Sequence, residues 1–376
     1  MRIYWYWPFA REEDFALALA TPRADDTLTL HCLDRLGVPR HSEVRVDVRP
    51  TLADVDDATE RSLRWARSRV QTYRGRARAR ADAVRTGQYD VAHVAFLNQY
   101  TDIVDLSRLG KQAGLVTTVH DVVPHRSRLP RAVQHQILSR LYAVGGTIVV
   151  HHEAVGRELV ESFPVDPARV HVVPHWVSPF RDPDDRRVLS DARRVLCFGT
   201  LRANKGVRVL LDAIERLPTD AGVSVHIAGR GDADLERAVL AAADRFPLLT
   251  AEIDWITPAR KAELFRSADL AVLPYTAFAS QSGVLHDAFG NHLPALVTDV
   301  GALPASVRDS GSGWVVPRGS ADALAAGIVD AFADEAAWQR AAAGARQVAI
   351  DQAPARVGAR LRDVYEVVVG GAGSGR

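Results

Sequence analysis

The sequence predicts an α/β protein made of two halves of the same kind, each a parallel sheet covered by helices on both faces. Short apolar strand-like runs alternate with helical stretches along both halves. The alternation is interrupted at 178–191 (SPFRDPDDRRVLSD), where Pro, Asp and Arg take over, and then restarts. The halves also echo one another weakly, LVTTVHD at 115–121 against LVTDVGA at 296–302.

A chain of 376 residues has room for two domains, each with its own core. Its 47% hydrophobic and 25% charged residues are those of a soluble globular protein. Lys and Arg total 47 against 46 Asp and Glu, a balance that argues against wholesale nucleic-acid binding. Cys32 and Cys197 lie far apart in apolar runs and read as buried thiols of a reducing compartment, not a disulfide framework or zinc site. The start, MRIYWYWPFAREEDF, lacks the pattern of a signal peptide, and no apolar run approaches membrane-spanning length. A cytoplasmic location is the expectation.

In the first half, strands are expected at 3–7, 27–32, 91–94, 115–119, 147–150 and 170–173. The fourth of these ends in His120-Asp121. Ligands of open α/β sheets bind beyond the carboxyl ends of strands, so both are site candidates; a capping Asp beside a surface His is the plain alternative. From 60 to 85, Arg61, Arg64, Arg67, Arg69, Arg74, Arg76, Arg78, Arg80 and Arg85 face only Glu60 and Asp82, with Leu63, Trp65, Val70 and Tyr73 among them. This composition favours a solvated helix; the other reading is a helix lying on an anionic membrane or acceptor.

The second half opens with a strand at 195–198 and the loop Gly199-Thr200-Leu201-Arg202-Ala203-Asn204-Lys205-Gly206. A helix follows with Val207, Leu210, Leu211, Ile214 and Leu217 on one stripe. A strand at 225–228 ends in Gly229-Arg230-Gly231; after Pro247 come the apolar run 253–256 and a helix through Leu264 and Phe265. The strand 271–273 then enters a Pro-Tyr loop, the polar cluster Ser280, Gln281, Ser282 and Gly283, and a helix through Val284, Leu285, Ala288 and Phe289. A strand at 296–298, a run at 314–317 and Ala-rich helices complete the chain.

The Ser280–Gly283 turn reads either as an N-cap or as an anion site. A helix start offers unpaired N–H groups and a positive dipole end, and Gly283 lets a phosphate approach the backbone. Asp287, one turn further on, is placed for the hydroxyls of such a ligand. Other motifs fail. Gly229-Arg230-Gly231 lacks the third Gly of a dinucleotide fingerprint, and Gly110-Lys111 lacks the upstream Gly of a P-loop. His152-Glu153 lacks a second His, Ser310 and Ser312 sit in no nucleophile elbow, and two Asp-x-Asp matches fall in polar loops.

Taken as an ordered set, CFGTLRANKGVRVLLDAIERL, VHIAGRG, AELFRSADLAVLPY, SQSGVLHDAFGNHLPALVTDVGALP and GSGWVVPRGSADALAAGI resemble the GT-B glycosyltransferases of glycosyltransferase family 4. TVHDVVPH and VHVVPH in the first half agree. The blocks cover 193–330 and match the first half more thinly. The resemblance implies two Rossmann-like domains facing a central cleft: an acceptor-binding domain at 1–177, a linker at 178–192 and a nucleotide-sugar-binding domain at 193–352. A C-terminal helix at 353–369 crosses back to the first domain, and a flexible tail fills 370–376. It also implies sugar transfer with retention of configuration from a nucleoside diphosphate donor to a cytoplasmic acceptor (small molecule, glycan or lipid-linked). The resemblance further implies that no metal or cofactor is needed, since cationic side chains and helix N-termini can neutralise the leaving diphosphate.

By position, Lys205 matches the family's phosphate-binding Lys. The family's usual Arg falls on Thr200, and Arg202 stands nearby as a substitute cation. Asp287 falls on the second Glu of the family's E-x7-E pattern, which holds the ribose; the first falls on Ala279, and Gln281 or Ser280 takes over its hydrogen bonds. The backbone of Ser282, Gly283 and Val284 receives the diphosphate. Gly199 and Thr200 line the same loop, Gly229, Gly231, Trp255, Ile256 and Thr257 surround the nucleobase, and His120 matches a His near the transferred sugar. The catalytic candidates are therefore His120, Asp121, Lys205 and Arg202. A nucleotide-sugar epimerase on the same fold, or a silent nucleotide-sugar-binding protein, are the competing readings.

Overall fold

A computed structural model describes residues 1–7, 15–33, 45–52, 63–98, 102–123, 129–218, 220–277 and 282–373. The chain divides into two compact units, 1–175 with 354–376, and 176–353.

The first unit runs β1 (Arg2–Tyr6), α1 (Phe15–Ala20), β2 (Thr27–Leu33), β3 (Arg45–Leu52), α2 (Leu63–Gly87), β4 (Val91–Val94), α3 (Ile103–Leu109), β5 (Gly114–Thr118), α4 (Arg131–Val144), β6 (Thr147–Val150), α5 (Glu153–Ser162) and β7 (Val170–Val172). These strands form one parallel sheet in the order β3-β2-β1-β4-β5-β6-β7. Tyr4, Tyr6, Val94, Leu115, Ile148 and Val150 from the strands meet Leu106, Leu138, Tyr142 and Leu159 from the helices in its core.

The second unit runs β8 (Arg194–Phe198), α6 (Val207–Arg216), β9 (Ser224–Ala228), α7 (Ala233–Arg245), β10 (Leu249–Glu252), α8 (Pro258–Ser267), β11 (Leu270–Leu273), α9 (Gly283–Gly290), β12 (Ala295–Thr298), α10 (Leu303–Ser310), β13 (Gly313–Val316), α11 (Ala321–Ala333) and α12 (Glu335–Asp351). Its parallel sheet is ordered β10-β9-β8-β11-β12-β13. Strands buried on both faces explain the near-continuous apolar runs at 270–273 and 295–297. The last helix, α13 (Pro354–Gly373), returns to the first unit, where it packs on α1, β4 and β5.

The structure departs from the expectations in five places. β3 was not foreseen; Pro50 lies within it, and the strand tolerates a residue without an N–H because it is the sheet edge. The strand after Pro247 is Leu249–Glu252, with 253–257 forming the loop beyond it, because Leu249 is the residue that enters the core. The Arg-rich segment is a helix, but not a wholly solvated one: Arg76 and Arg80 are buried, and Arg80 pairs with Asp105 and Asp102 of α3 at 2.6 and 3.0 Å. The stretch expected to be a linker is counted in the second unit. There Arg187 is buried, and its guanidinium donates to the carbonyls of Asn291 at 2.7 Å, Phe265 at 3.0 Å, Arg266 at 2.9 Å and Ala268. Finally, α13 extends to Gly373, so 370–373 is helical; 374–376 lie outside the described residues.

Candidate functional site

In each sheet the strand order reverses once, between β1 and β4 in the first unit and between β8 and β11 in the second. At such a switch point adjacent loops diverge to opposite faces and leave a crevice at the carboxyl ends of the strands. In the second unit this crevice is edged by the loops after β8 and β11, which are sewn together. The Thr276 N–H donates to the Asn204 carbonyl at 3.0 Å, the Asn204 side-chain amide to the Ala277 carbonyl at 3.2 Å, and the Thr276 hydroxyl to the Ala203 carbonyl at 3.4 Å. Gly206 is left-handed (φ 69°), and a Cβ there would lie 1.7 Å from the Pro274 oxygen, so only Gly closes this seam.

The seam places the Lys205 ammonium 3.7 Å from the centroid of the Tyr275 ring. Tyr275 is buried, its hydroxyl shares a hydrogen bond with the Ser282 hydroxyl at 3.1 Å, and its carbonyl accepts from Thr298 Oγ1 at 2.6 Å. Burial lowers the Lys205 pKa from 10.5 to about 8, with Arg202 adding to the effect. Ser282 is the N-cap of α9, and its carbonyl accepts from the Leu285 and His286 N–H groups, which leaves Gly283 and Val284 as the leading amides. Among the described residues, a Cβ at Gly283 would meet nothing within 4 Å, and one at Gly199 would touch Val284 Cγ2 at 3.4 Å. Nothing among the described residues crowds the helix start at Gly283, and Val284 brings it close to the β8 loop.

One turn into α9, Asp287 accepts from the Lys261 ammonium of α8 at 3.2 Å, both side chains being largely buried. The loops after β9 and β10 complete the rim. Leu201 N–H donates to the Arg230 carbonyl at 3.0 Å, Asp232 N–H to the Leu201 carbonyl at 2.8 Å, and Gly229 N–H to the Glu252 carbonyl at 3.0 Å. Gly229 (φ 136°) crosses Gly199 so closely that a Cβ would sit 2.0 Å from the Gly199 oxygen. Trp255 is 74% exposed, Ile256 half-buried, and Thr257 is the N-cap of α8, accepting from the Arg260 N–H at 3.3 Å. Thr200, Arg202 and Gly231 are exposed.

Of the predicted donor-side residues, Gly199, Thr200, Arg202, Lys205, Gly229, Gly231, Trp255, Ile256, Thr257, Ser282, Gly283, Val284 and Asp287 gather at this edge of the second sheet. Ala279, Ser280 and Gln281 lie outside the described residues. Sequence reasoning missed Tyr275 and Lys261. The first had a signal, an aromatic residue directly after a strand end; the second stands just before a quoted motif and only tertiary structure pairs it with Asp287.

His120 and Asp121 follow β5 in the first unit. His120 Nε2 bonds the Ala95 carbonyl at 3.0 Å, and its Nδ1 faces His151 Nε2 at 3.2 Å; His151 Nδ1 in turn bonds the Val173 carbonyl at 3.0 Å. Trp7, Phe96 and His175 surround the His120 ring at centroid distances of 6.4, 5.5 and 6.5 Å. Burial lowers the His120 pKa, opposed by the Ala95 bond and by Asp121. Beneath it His93 bonds Tyr365 of α13 at 2.6 Å and Thr118 at 2.8 Å, and burial, with His120 adding to it, brings its pKa down to about 3. No cluster of three metal-binding side chains with suitable placement occurs among the described residues.

A family model described as "Glycosyltransferase Family 4" matches residues 15–181, and one described as "Glycosyl transferases group 1" matches 192–334. A phosphatidyl-myo-inositol mannosyltransferase of Mycolicibacterium smegmatis is 28% identical over 298 residues, covering 76% of this chain and 72% of that protein. A D-inositol 3-phosphate glycosyltransferase of Nocardia farcinica is 27% identical over 277 residues, 65% of this chain and 60% of its own. Among solved structures, sucrose-phosphate synthase from Thermosynechococcus elongatus superposes with a TM-score of 0.71 at 16% identity, covering 99% of this chain and all of that one. Anabaena HepE in complex with UDP gives 0.69 at 14% identity, covering 98% and 100%. Two tandem Rossmann-like sheets with these likenesses define a GT-B glycosyltransferase fold. The family models and curated relatives carry this from fold to activity: the chain is a glycosyltransferase and belongs to the family 4 type.

Proposed function

We propose that the protein transfers a sugar, with retention of anomeric configuration and without a metal ion or cofactor, from a nucleoside diphosphate donor to a hydroxyl of its acceptor. The observation that carries this is the Lys205 loop, sewn to the loop after β11 and lying beside the start of α9, where no described residue crowds Gly283. A diphosphate there meets the Lys205 ammonium, the leading amides of Gly283 and Val284, and the positive end of the helix dipole, with Arg202 as a second cation. These groups stabilise the charge that develops on the leaving phosphate. Asp287, oriented by Lys261, accepts from the ribose hydroxyls, and exposed Trp255 offers a face to the nucleobase. The departing phosphate takes the acceptor's proton on the same face, so transfer needs no carboxylate at 279.

HepE has been solved in complex with UDP and with UDP-glucose, and the curated relatives are named for inositol-bearing molecules. These set the first donors and acceptors to try. Among the described residues no helix is long and apolar enough to cross a membrane. We place the enzyme in the cytoplasm, touching anionic lipid through α2, where Arg67, Arg74, Arg78 and Arg85 are exposed. At 3.6 residues per turn these four fall on one stripe about 27 Å long.

The test incubates the protein with a panel of nucleoside diphosphate sugars, with and without chelator, and then with inositol acceptors. Slow release of free nucleoside diphosphate that chelator does not affect, and an axial product linkage from an axial donor, are expected. A changed sugar still on its nucleotide would instead show an epimerase. Binding without turnover would show a silent protein.

A further inference from the structure

The hydrogen bonds around His120 and His151 fix where their protons are. A backbone carbonyl has no proton to give, so His120 Nε2 donates to Ala95 O and His151 Nδ1 donates to Val173 O. If both rings were neutral, the remaining nitrogens, His120 Nδ1 and His151 Nε2, would each carry only a lone pair. Yet these two nitrogens face one another at 3.2 Å, hydrogen-bond distance. Two lone pairs at that separation repel; a single added proton between them turns the contact into an N–H···N bond.

We propose that His120 and His151 form an imidazole–imidazolium dyad holding one added proton between them, with His151 the positioning residue that fixes the His120 ring. The dyad is a site of one positive charge at the carboxyl ends of β5 and β6. Among the described residues its carboxylate neighbour is Asp121 on the same loop, the other titratable groups facing it are His93 from β4 and His175 after β7, and Trp7 and Phe96 supply aromatic faces. Burial keeps a second proton off, so charging stops at one. His93 is tied to Tyr365 and Thr118 and is held neutral beside the charge. When the shared proton leaves at higher pH, the inner nitrogens repel, and one ring relieves this by moving its proton from the carbonyl-facing nitrogen to the inner one, surrendering its carbonyl bond. This inference does not depend on the donor or acceptor proposed above.

Full-length protein labelled with ¹⁵N in its histidines tests the dyad through imidazole nitrogen shifts between about pH 5.5 and 8.5, the range in which His changes charge. His120→Gln and His151→Gln assign the rings. The expected spectrum shows His120 Nε2 and His151 Nδ1 protonated at the acid end. The two inner nitrogens show intermediate shifts and titrate in one common step, as coupled groups do. In His151→Gln, the amide can donate to His120 Nδ1 with no added proton, so His120 becomes a neutral Nε2–H ring and the common step is lost. Wild-type spectra in which both inner nitrogens keep bare lone-pair shifts across the range would overturn the dyad. So would an outer nitrogen lacking its proton at the acid end. The wild-type spectra alone decide this should a variant not fold.

Discussion

The Lys205 ammonium lies 3.7 Å from the centre of the Tyr275 ring, and Tyr275 is itself fixed at both ends, by Ser282 at its hydroxyl and by Thr298 at its carbonyl. The π face stabilises a cation that burial has partly stripped of water. The same desolvation brings its pKa to about 8 and makes its charge pH-dependent around that value.

Nucleoside diphosphate affinity is therefore expected to be flat below about pH 7 and to weaken as pH rises through 8, approaching tenfold per unit until the pKa of the complex is reached. A bound diphosphate raises the Lys205 pKa, so binding at pH 8 takes up a proton. Calorimetry in buffers of different ionisation heat measures that uptake. The stability term has the opposite sign: the unfolded lysine, near 10.5, binds more protons between pH 8 and 10.5 than the folded one, so this group favours the folded state more as pH rises through that window. Lys205→Ala removes the pH effect and weakens donor binding by about 1–3 kcal/mol. A pH-independent affinity in the wild type would remove Lys205 from the phosphate site.

Lys261 and Asp287 are predicted to act as one unit. Their 3.2 Å pair joins the first turn of α8 to the middle of α9, and removing either leaves a largely buried charge without this counterion. Lys261→Ala and Asp287→Ala are each expected to weaken nucleoside diphosphate binding, and the double variant to be weakened by less than the sum, with a coupling of about 0.5–3 kcal/mol. Fully additive losses from titrations of the four proteins would separate the two residues.

What could be read in the sequence follows from what is local. Strand runs such as 91–94 and 147–150 announce themselves because both faces are buried, and the Lys205 loop and the turn before α9 lie close to strand ends. Asp287 was legible by spacing, its partner Lys261 was not, since 26 residues separate them. His151 and His175 follow other strands than His120, so only parallel stacking of β5, β6 and β7 brings them together. The Arg-rich helix misled for the same reason: composition counts charges but does not see that α3 delivers Asp102 and Asp105 to Arg80.

That buried network yields a stability prediction. Arg80 is fully buried, bonds Asp105 through two nitrogens, and lies 4.4 Å from the centroid of the Tyr6 ring. Arg80→Met strands two buried carboxylates and is expected to cost about 3–5 kcal/mol in urea unfolding at pH 7. Burial already pushes the Asp105 carboxyl up, against the pull of Arg80. Without Arg80 that push loses its main opposition, the folded state binds a proton the unfolded state releases, and stability is regained as pH falls through the raised value. The gap between variant and wild type should thus narrow from pH 7 towards pH 5. A gap that widens would mean the carboxylates find another cation.

The same helix separates two uses of arginine, and the membrane proposal rests on the second. Arg76 and Arg80 face inward, whereas Arg67, Arg74, Arg78 and Arg85 lie along the exposed side, with half-exposed Val70 beside them. Each exposed arginine near an anionic surface contributes about 1 kcal/mol, screened within a Debye length. Sedimentation with vesicles rich in anionic lipid should be strong at low salt, fall as salt rises, and be absent with neutral vesicles. Replacing the four by Gln, which keeps the helix and spares Arg80, should abolish it while leaving urea stability within about 0.5 kcal/mol per site. Vesicle binding that survives the four replacements would assign the membrane contact to another surface. Equal, negligible binding of the wild type to both vesicle types would leave the stripe as a solvated face.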